Sequence, residues 1–189
     1  MKLKITLFFI IYFLCQLNAN GADFKNIHHK HWTDKYDGLY RKYSKRYFGP
    51  NIDWRWFKAQ GIAESGLQVK AKSKVGALGL MQIMPKTYAE IKSKNTLLKS
   101  IHTPKWNIMA ALYYDKKLYQ RWDYGFPFED RLSFTFASYN AGYRNVKKAF
   151  NKAKLKVGEV DFWDEVKIYA PKETQNYVQK IVKLMVKPE

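Results

Sequence analysis

Along this chain the apolar residues recur every third or fourth position, and no segment alternates apolar with polar residues over a useful length. That spacing builds helices with one buried face and leaves no material for the half-buried strands of a sheet. Leu39, Tyr43 and Tyr47 stand four apart, with Gly49-Pro50 as the stop. Asp53 is placed to cap a second helix reaching about residue 65, with Trp54, Phe57 and Gly61 on one stripe and Gly66 in the left-handed position that closes a helix. Residues 67–84 predict an irregular segment, with short strand-like pieces in 78–83. Pro85 suits the first turn of a helix running to about residue 92. Thr103-Pro104 starts another, which carries Ile108, Ala111, Leu112, Asp115 and Leu118 at helical spacing. A strongly apolar helix follows over 129–141, then a short one from near Arg144, then a basic loop. A last helix runs over about 172–186, with Tyr177, Val178, Ile181, Val182 and Met185 facing inward. The expectation is a mainly α fold with little or no β.

The 189 residues suffice for one domain with a real core, and 47% apolar content argues against disorder. The formal charge of +18 comes from lysines spread through the chain, a surface suited to anionic partners such as nucleic acid, lipid headgroups or an anionic wall polymer. The first residues choose among these. Met1-Lys2-Leu3-Lys4 is basic, residues 5–15 are apolar apart from Thr6 and Tyr12, and residues 16–22 supply small and polar residues. This is the layout of a secretory signal peptide, here assigned to residues 1–21, with cleavage after Ala19 or Gly21. The apolar run falls short of the ~20 residues that span a bilayer, so retention as an anchor, or lipidation at Cys15, is the lesser alternative. Export also counts against a nucleic-acid role. Residues 22–50 form an N-terminal extension with one helix, and 51–189 the main domain. His28, His29 and His31 lie near the new terminus, where solvated histidines are commoner than a metal site.

The chain has no phosphate-cradling glycine loop, no Cys/His metal spacing and no serine elbow with a placed histidine. What remains is Glu64, in Gly61-Ile62-Ala63-Glu64-Ser65-Gly66. It follows small and apolar residues on a largely aromatic helix, so burial would raise its pKa toward the range of a general acid. The glycine-rich stretch 73–82 after it permits close approach of backbone to a ligand. The plainer reading is an exposed, idle residue at a helix end, and spacing alone leaves both open.

Four elements decide the matter by resemblance. Residues 64–88, ESGLQVKAKSKVGALGLMQIMPKTY, resemble the signature of the bacterial lytic transglycosylases of the soluble lytic transglycosylase (SLT) domain family. SYNAG at 138–142, KETQNYV at 172–178 and PKWNIMAALYYDKKL at 104–118 resemble that family's later elements, in the same order. Val69, Ser138 and Tyr88 depart from its usual residues without removing a chemical group. The resemblance implies a single-domain, α-helical, goose-type lysozyme-like fold with a substrate cleft. It implies cleavage of the β-1,4 bond between N-acetylmuramic acid and N-acetylglucosamine in peptidoglycan, with no cofactor and no metal.

By the same resemblance Glu64 is the acid/base. Ser73 lies near it, and Gln82 and Met84 wall the cleft. Tyr139 and Asn140 face the glutamate and the N-acetyl group, and Glu173 and Tyr177 line the cleft from the last helix. The matched motifs place no second carboxylate beside Glu64. A transglycosylase manages with one, because the substrate's own C6 hydroxyl is the nucleophile. The alternatives are a goose-type muramidase using water, and a catalytically silent cationic wall-binding protein. The implied partner is the glycan strand of peptidoglycan, in the periplasm or cell envelope, without tight membrane insertion; a cell-envelope or secretion apparatus is a further candidate.

Overall fold

The computed structural model describes residues 32–123 and 125–185. The signal segment, Cys15 and His28, His29 and His31 lie outside the described residues. Among the described residues eight helices follow one another: α1 (Asp37–Phe48), α2 (Arg55–Ser65), α3 (Pro85–Lys94), α4 (Pro104–Arg121), α5 (Phe128–Ala141), α6 (Tyr143–Val157), α7 (Trp163–Lys167) and α8 (Lys172–Met185). Among the described residues the only β pairing is two isolated bridges, Lys72 with Leu78 and Leu78 with Ile83. The mainly α expectation holds, and the strand-like pieces in 78–83 reduce to one tight turn. No described helix is long and apolar enough to cross a membrane.

The core forms where α2 and α5 run through the middle. Seven consecutive residues of α2, from Trp56 to Ile62, are buried. That makes α2 a helix covered on all sides rather than on a single stripe. It lies against α1 and α8, while α5 packs on α4, α6 and α8. Lys58, fully buried on α2, bonds Asp37 and the Thr33 carbonyl and lies 5.2 Å from the Trp32 ring centroid. Its charge is paired, which is the condition for burying one. At the other end Trp122 stacks on Phe134 at 4.7 Å and donates its indole N–H to Ser138 Oγ at 2.9 Å. The serine that stands in place of an alanine at 138 is therefore a buried acceptor.

Two expectations need correction. The segment after Arg144 is not a short helix and a basic loop but the 15-residue α6, with Val146, Ala149, Phe150 and Ala153 buried and Lys148, Lys152, Lys154 and Lys156 exposed. Its lysines are the solvated face of an amphipathic helix. The five-residue α7 was not foreseen; Glu165 Oε2 accepts the Asp161 and Phe162 N–H groups, which starts it.

Candidate active site

Glu64 stands one residue from the end of α2, and the sequence fixes why the helix ends there. Gly66 takes φ 62° and ψ 31° and donates its N–H to the Ile62 carbonyl at 3.0 Å. A residue without Cβ adopts this left-handed closure at no steric cost. One turn before Glu64, Gly61 meets Tyr40 so closely that an added Cβ would collide with the phenol oxygen and sit 3.0 Å from Met81 Sδ. Tyr40 in turn donates its hydroxyl to Met81 Sδ at 3.2 Å. The carboxyl-bearing turn is thus pressed between α1 and the loop that follows α2.

α8 bonds the carboxyl and its turn, the following loop bonds that turn, and α5 bonds the loop. Tyr177, on α8, donates its hydroxyl to Glu64 Oε1 at 2.6 Å. Lys180, one turn further along α8, donates Nζ to the Ala63 carbonyl at 3.0 Å. Ser65 donates Oγ to the Leu80 carbonyl at 2.8 Å, fixing the loop from below. Tyr139, at the end of α5, donates its hydroxyl to the Met81 carbonyl at 2.8 Å, fixing the same loop from the far side. Burial pushes the Glu64 pKa up from 4.5 to about 7; the Tyr177 bond and the Lys180 charge oppose this, and the charge of Glu173 adds to it. Desolvation dominates because a charged carboxylate loses water that one phenol and one partly screened ammonium do not replace. Glu64 itself remains half-buried, so it is open to a ligand.

The glycine-rich loop between α2 and α3 is held by a residue that sequence reasoning passed over. Asn107, buried on α4, accepts the Met81 N–H at 2.9 Å and donates to the Leu78 and Ile101 carbonyls, each at 3.0 Å. Gly79 takes φ +75°, and a Cβ there would stand 2.5 Å from Asn107 Nδ2. Gln82 takes φ +44° and donates Nε2 to the Gly79 carbonyl at 2.9 Å and the Ala71 carbonyl at 3.2 Å. Its side chain braces the loop it belongs to. Ser73 does likewise: its hydroxyl accepts the Ala77 N–H at 2.9 Å rather than bonding Glu64. Met84 is 40% exposed at the start of α3, not a core residue. Asn140 accepts the Thr174 hydroxyl at 2.8 Å, joining the end of α5 to the start of α8, where Glu173 is exposed. Tyr177 is both core and site, since its ring is buried and its hydroxyl reaches Glu64.

One expectation from the matched motifs is corrected. Glu64 does have carboxylates within electrostatic reach: Glu173 on α8 and Asp115 on α4. Asp115 looked like a member of an apolar stripe, and it is fully buried there, bonded to Gln60 Nε2 at 3.2 Å. Its depth removes it from a bound glycan. Among the described residues, no group of three or more His, Cys, Asp or Glu side chains is placed to hold a metal ion.

Comparison with known proteins bears on the family and the fold. The family model described as Transglycosylase SLT domain matches residues 41–162. The chain is 30% identical over 141 residues to membrane-bound lytic murein transglycosylase F of Pseudomonas putida (strain GB-1), covering 75% of this chain and 27% of that protein. It is 28% identical over 137 residues to the protein of the same name from Vibrio vulnificus (strain YJ016), covering 72% and 24%. The 70 kDa soluble lytic transglycosylase from Escherichia coli superposes with a TM-score of 0.64 at 26% identity, over 80% of this chain and 24% of that one. The chain therefore spans about a quarter of the length of the relatives it matches.

Proposed function

Because the chain belongs to the transglycosylase SLT domain family, we propose that it cleaves the β-1,4 bond between N-acetylmuramic acid and N-acetylglucosamine in peptidoglycan and leaves a 1,6-anhydromuramic acid end. One observation carries the reading. Glu64 is a half-buried carboxyl bonded by the Tyr177 hydroxyl, with its pKa raised to about 7, and neither carboxylate within its electrostatic reach, Asp115 or Glu173, bonds the same partners. Most glycosidases need two carboxyls flanking the bond, one to protonate the leaving oxygen and one to attack or to activate water. Asp115 is too deep and Glu173 sits out on the surface.

With one group, the steps are these. Protonated Glu64 gives its proton to the glycosidic oxygen as the bond to C1 breaks, releasing the N-acetylglucosamine side with a free hydroxyl. The resulting carboxylate takes the proton of the muramic acid C6 hydroxyl as that oxygen bonds C1. Glu64 ends protonated, ready for the next cleavage. The nucleophile is part of the substrate, so its effective concentration is built in and no water need be positioned. A pKa near 7 serves both halves, since the same group must donate and accept near neutrality. Tyr139 and Asn140 stand at the end of α5 to orient the N-acetyl group, with Met84, Gln82, Ser73 and Glu173 around the remainder of the site. The reaction so drawn needs no cofactor. Residues 51–189 form the catalytic unit and 22–50 its extension. The signal-like segment 1–21 delivers it to the envelope, in keeping with relatives named membrane-bound murein transglycosylases.

Mass spectrometry of purified peptidoglycan digested with the protein tests this. Anhydro ends are expected; reducing ends in their place would assign hydrolysis of the goose-type lysozyme kind. Glu64→Gln should abolish soluble fragments while the fold is kept. Undiminished release by that variant would overturn the assignment, and binding without release by the wild type would leave a silent wall-binding protein.

A further inference from the structure

Asp115 and Gln60 face each other from α4 and α2, and both side chains are fully excluded from water. Gln60 Nε2 donates to Asp115 Oδ1 at 3.2 Å, but Gln60 Oε1 and Asp115 Oδ2 are buried with no partner among the described residues. An ionised carboxylate and an amide oxygen are both acceptors only, so neither can serve the other. Turning the amide over does not help, because it exchanges the bonded atoms and again leaves acceptors unmet. No lysine or arginine among the described residues bonds Asp115, and the titratable groups that feel its charge are Glu64 on α2, Tyr40 on α1, Tyr114 on α4, Tyr139 on α5 and Tyr177 on α8. All carry either no charge or a negative one. A buried acid with no cation beside it is expected to be neutral.

We propose that Asp115 carries a proton on Oδ2 and donates it to Gln60 Oε1, so that the two side chains form an uncharged, doubly bonded acid–amide pair that positions the Glu64 turn. Each group then satisfies the other: the amide N–H meets the acid carbonyl and the acid O–H meets the amide carbonyl. Gln60 lies four residues before Glu64, on the same side of α2. The pair ties that side to α4 without placing a second negative charge near the acid/base. Burial holds the Asp115 carboxyl well above the usual carboxylate range, against the bond from Gln60, and the charge of Glu64 adds to the shift. The positioning half of the proposal rests on the reading of Glu64 given above; the protonation half does not.

Carbon-13 NMR of the whole chain, labelled at aspartate side-chain carboxyls, reads the protonation directly. The Asp115 signal, assigned through its own backbone couplings, should keep the chemical shift of a neutral acid from about pH 4 to about pH 8, where exposed aspartates have already ionised. A signal that moves with those aspartates would overturn the proposal, and would mean that a buried water serves the two oxygens. For positioning, Asp115→Leu should lower kcat about tenfold or more with KM little changed. Asp115→Asn, whose amide N–H replaces the acid O–H, should restore kcat to within about twofold, with the alkaline limb of the pH profile unmoved. An Asn variant as slow as the Leu variant, or one whose alkaline limb shifts toward acid, would show that the charge of Asp115 acts and not its bonds. Should either variant fail to fold, the wild-type carbon signal still decides the protonation. Should the wild type release no fragments, the reading of Glu64 falls while the Asp115 signal stands on its own.

Discussion

Glu64 keeps its proton to about pH 7 in the fold, whereas an unfolded chain releases it near 4.5. Below pH 4.5 both states are protonated and the group contributes no pH dependence. Between 4.5 and about 7 the unfolded state loses a proton that the native state retains, so native stability falls as pH rises through this window and the loss is complete above it. The separation corresponds to at most about 3 kcal/mol, at 1.36 kcal/mol for each pKa unit. Glu64→Gln removes the titration. That variant should melt higher than wild type at pH 7.5 and show little advantage at pH 4, as thermal unfolding at the two pH values will measure. Tyr177→Phe should act in the opposite sense on the acid. Deleting the hydroxyl that donates to Oε1 raises the Glu64 pKa further. The alkaline limb of the pH–rate profile should then move to higher pH while the maximal rate drops.

At the scale of elements, the loop between α2 and α3 is the part most dependent on single side chains. Asn107 supplies two of its anchoring bonds from one buried amide and ties the same amide to Ile101, ahead of α4. Asn107→Leu keeps the branched shape but orphans the Met81 N–H and the Ile101 carbonyl, the Leu78 carbonyl retaining the Ile83 N–H, at about 1–3 kcal/mol for each buried group left unmet. Chemical denaturation should show that loss, and the release of fragments should fall further than stability alone predicts. Gly61→Ala gains helix propensity of about 1 kcal/mol. It also drives a methyl into the Tyr40 hydroxyl and Met81, so a net loss of about 1–3 kcal/mol is expected. Most of these helices were legible in the sequence because each shows a start or a stop: Gly49-Pro50 and Gly66 at helix ends, and Pro85 and Pro104 at helix starts. α6 was not, because four exposed lysines hide a buried face of Val146, Ala149, Phe150 and Ala153 from a reading that weighs composition over spacing. Glu64 stood out through its neighbours, but its bond to Tyr177 spans 113 residues, a distance at which periodicity is silent. Asp115 was in plain view as an acid within an apolar stripe, and that mismatch was the signal to pursue.

Over the whole molecule, the charge of +18 is distributed rather than gathered at the site, and α6 turns Lys148, Lys152, Lys154 and Lys156 outward. Such a field attracts an anionic polymer from a distance and does nothing for bond cleavage once the glycan is seated. The two roles separate by ionic strength, because the Debye length falls from ~10 Å at 0.1 M salt to ~3 Å at 1 M. Raising salt should therefore weaken adsorption to purified wall and raise the apparent KM, while kcat and the proportion of anhydro ends stay constant. Replacing Lys148 and Lys152 together by Glu should flatten that salt dependence without touching the pH profile, since no shift of the Glu64 carboxyl arises from α6. Glu64→Gln should adsorb like wild type across the same salt series. A kcat that followed the salt curve, or a Glu64→Gln variant that no longer adsorbed, would mean that attraction and chemistry are one function in this molecule and that its lysines belong to the site.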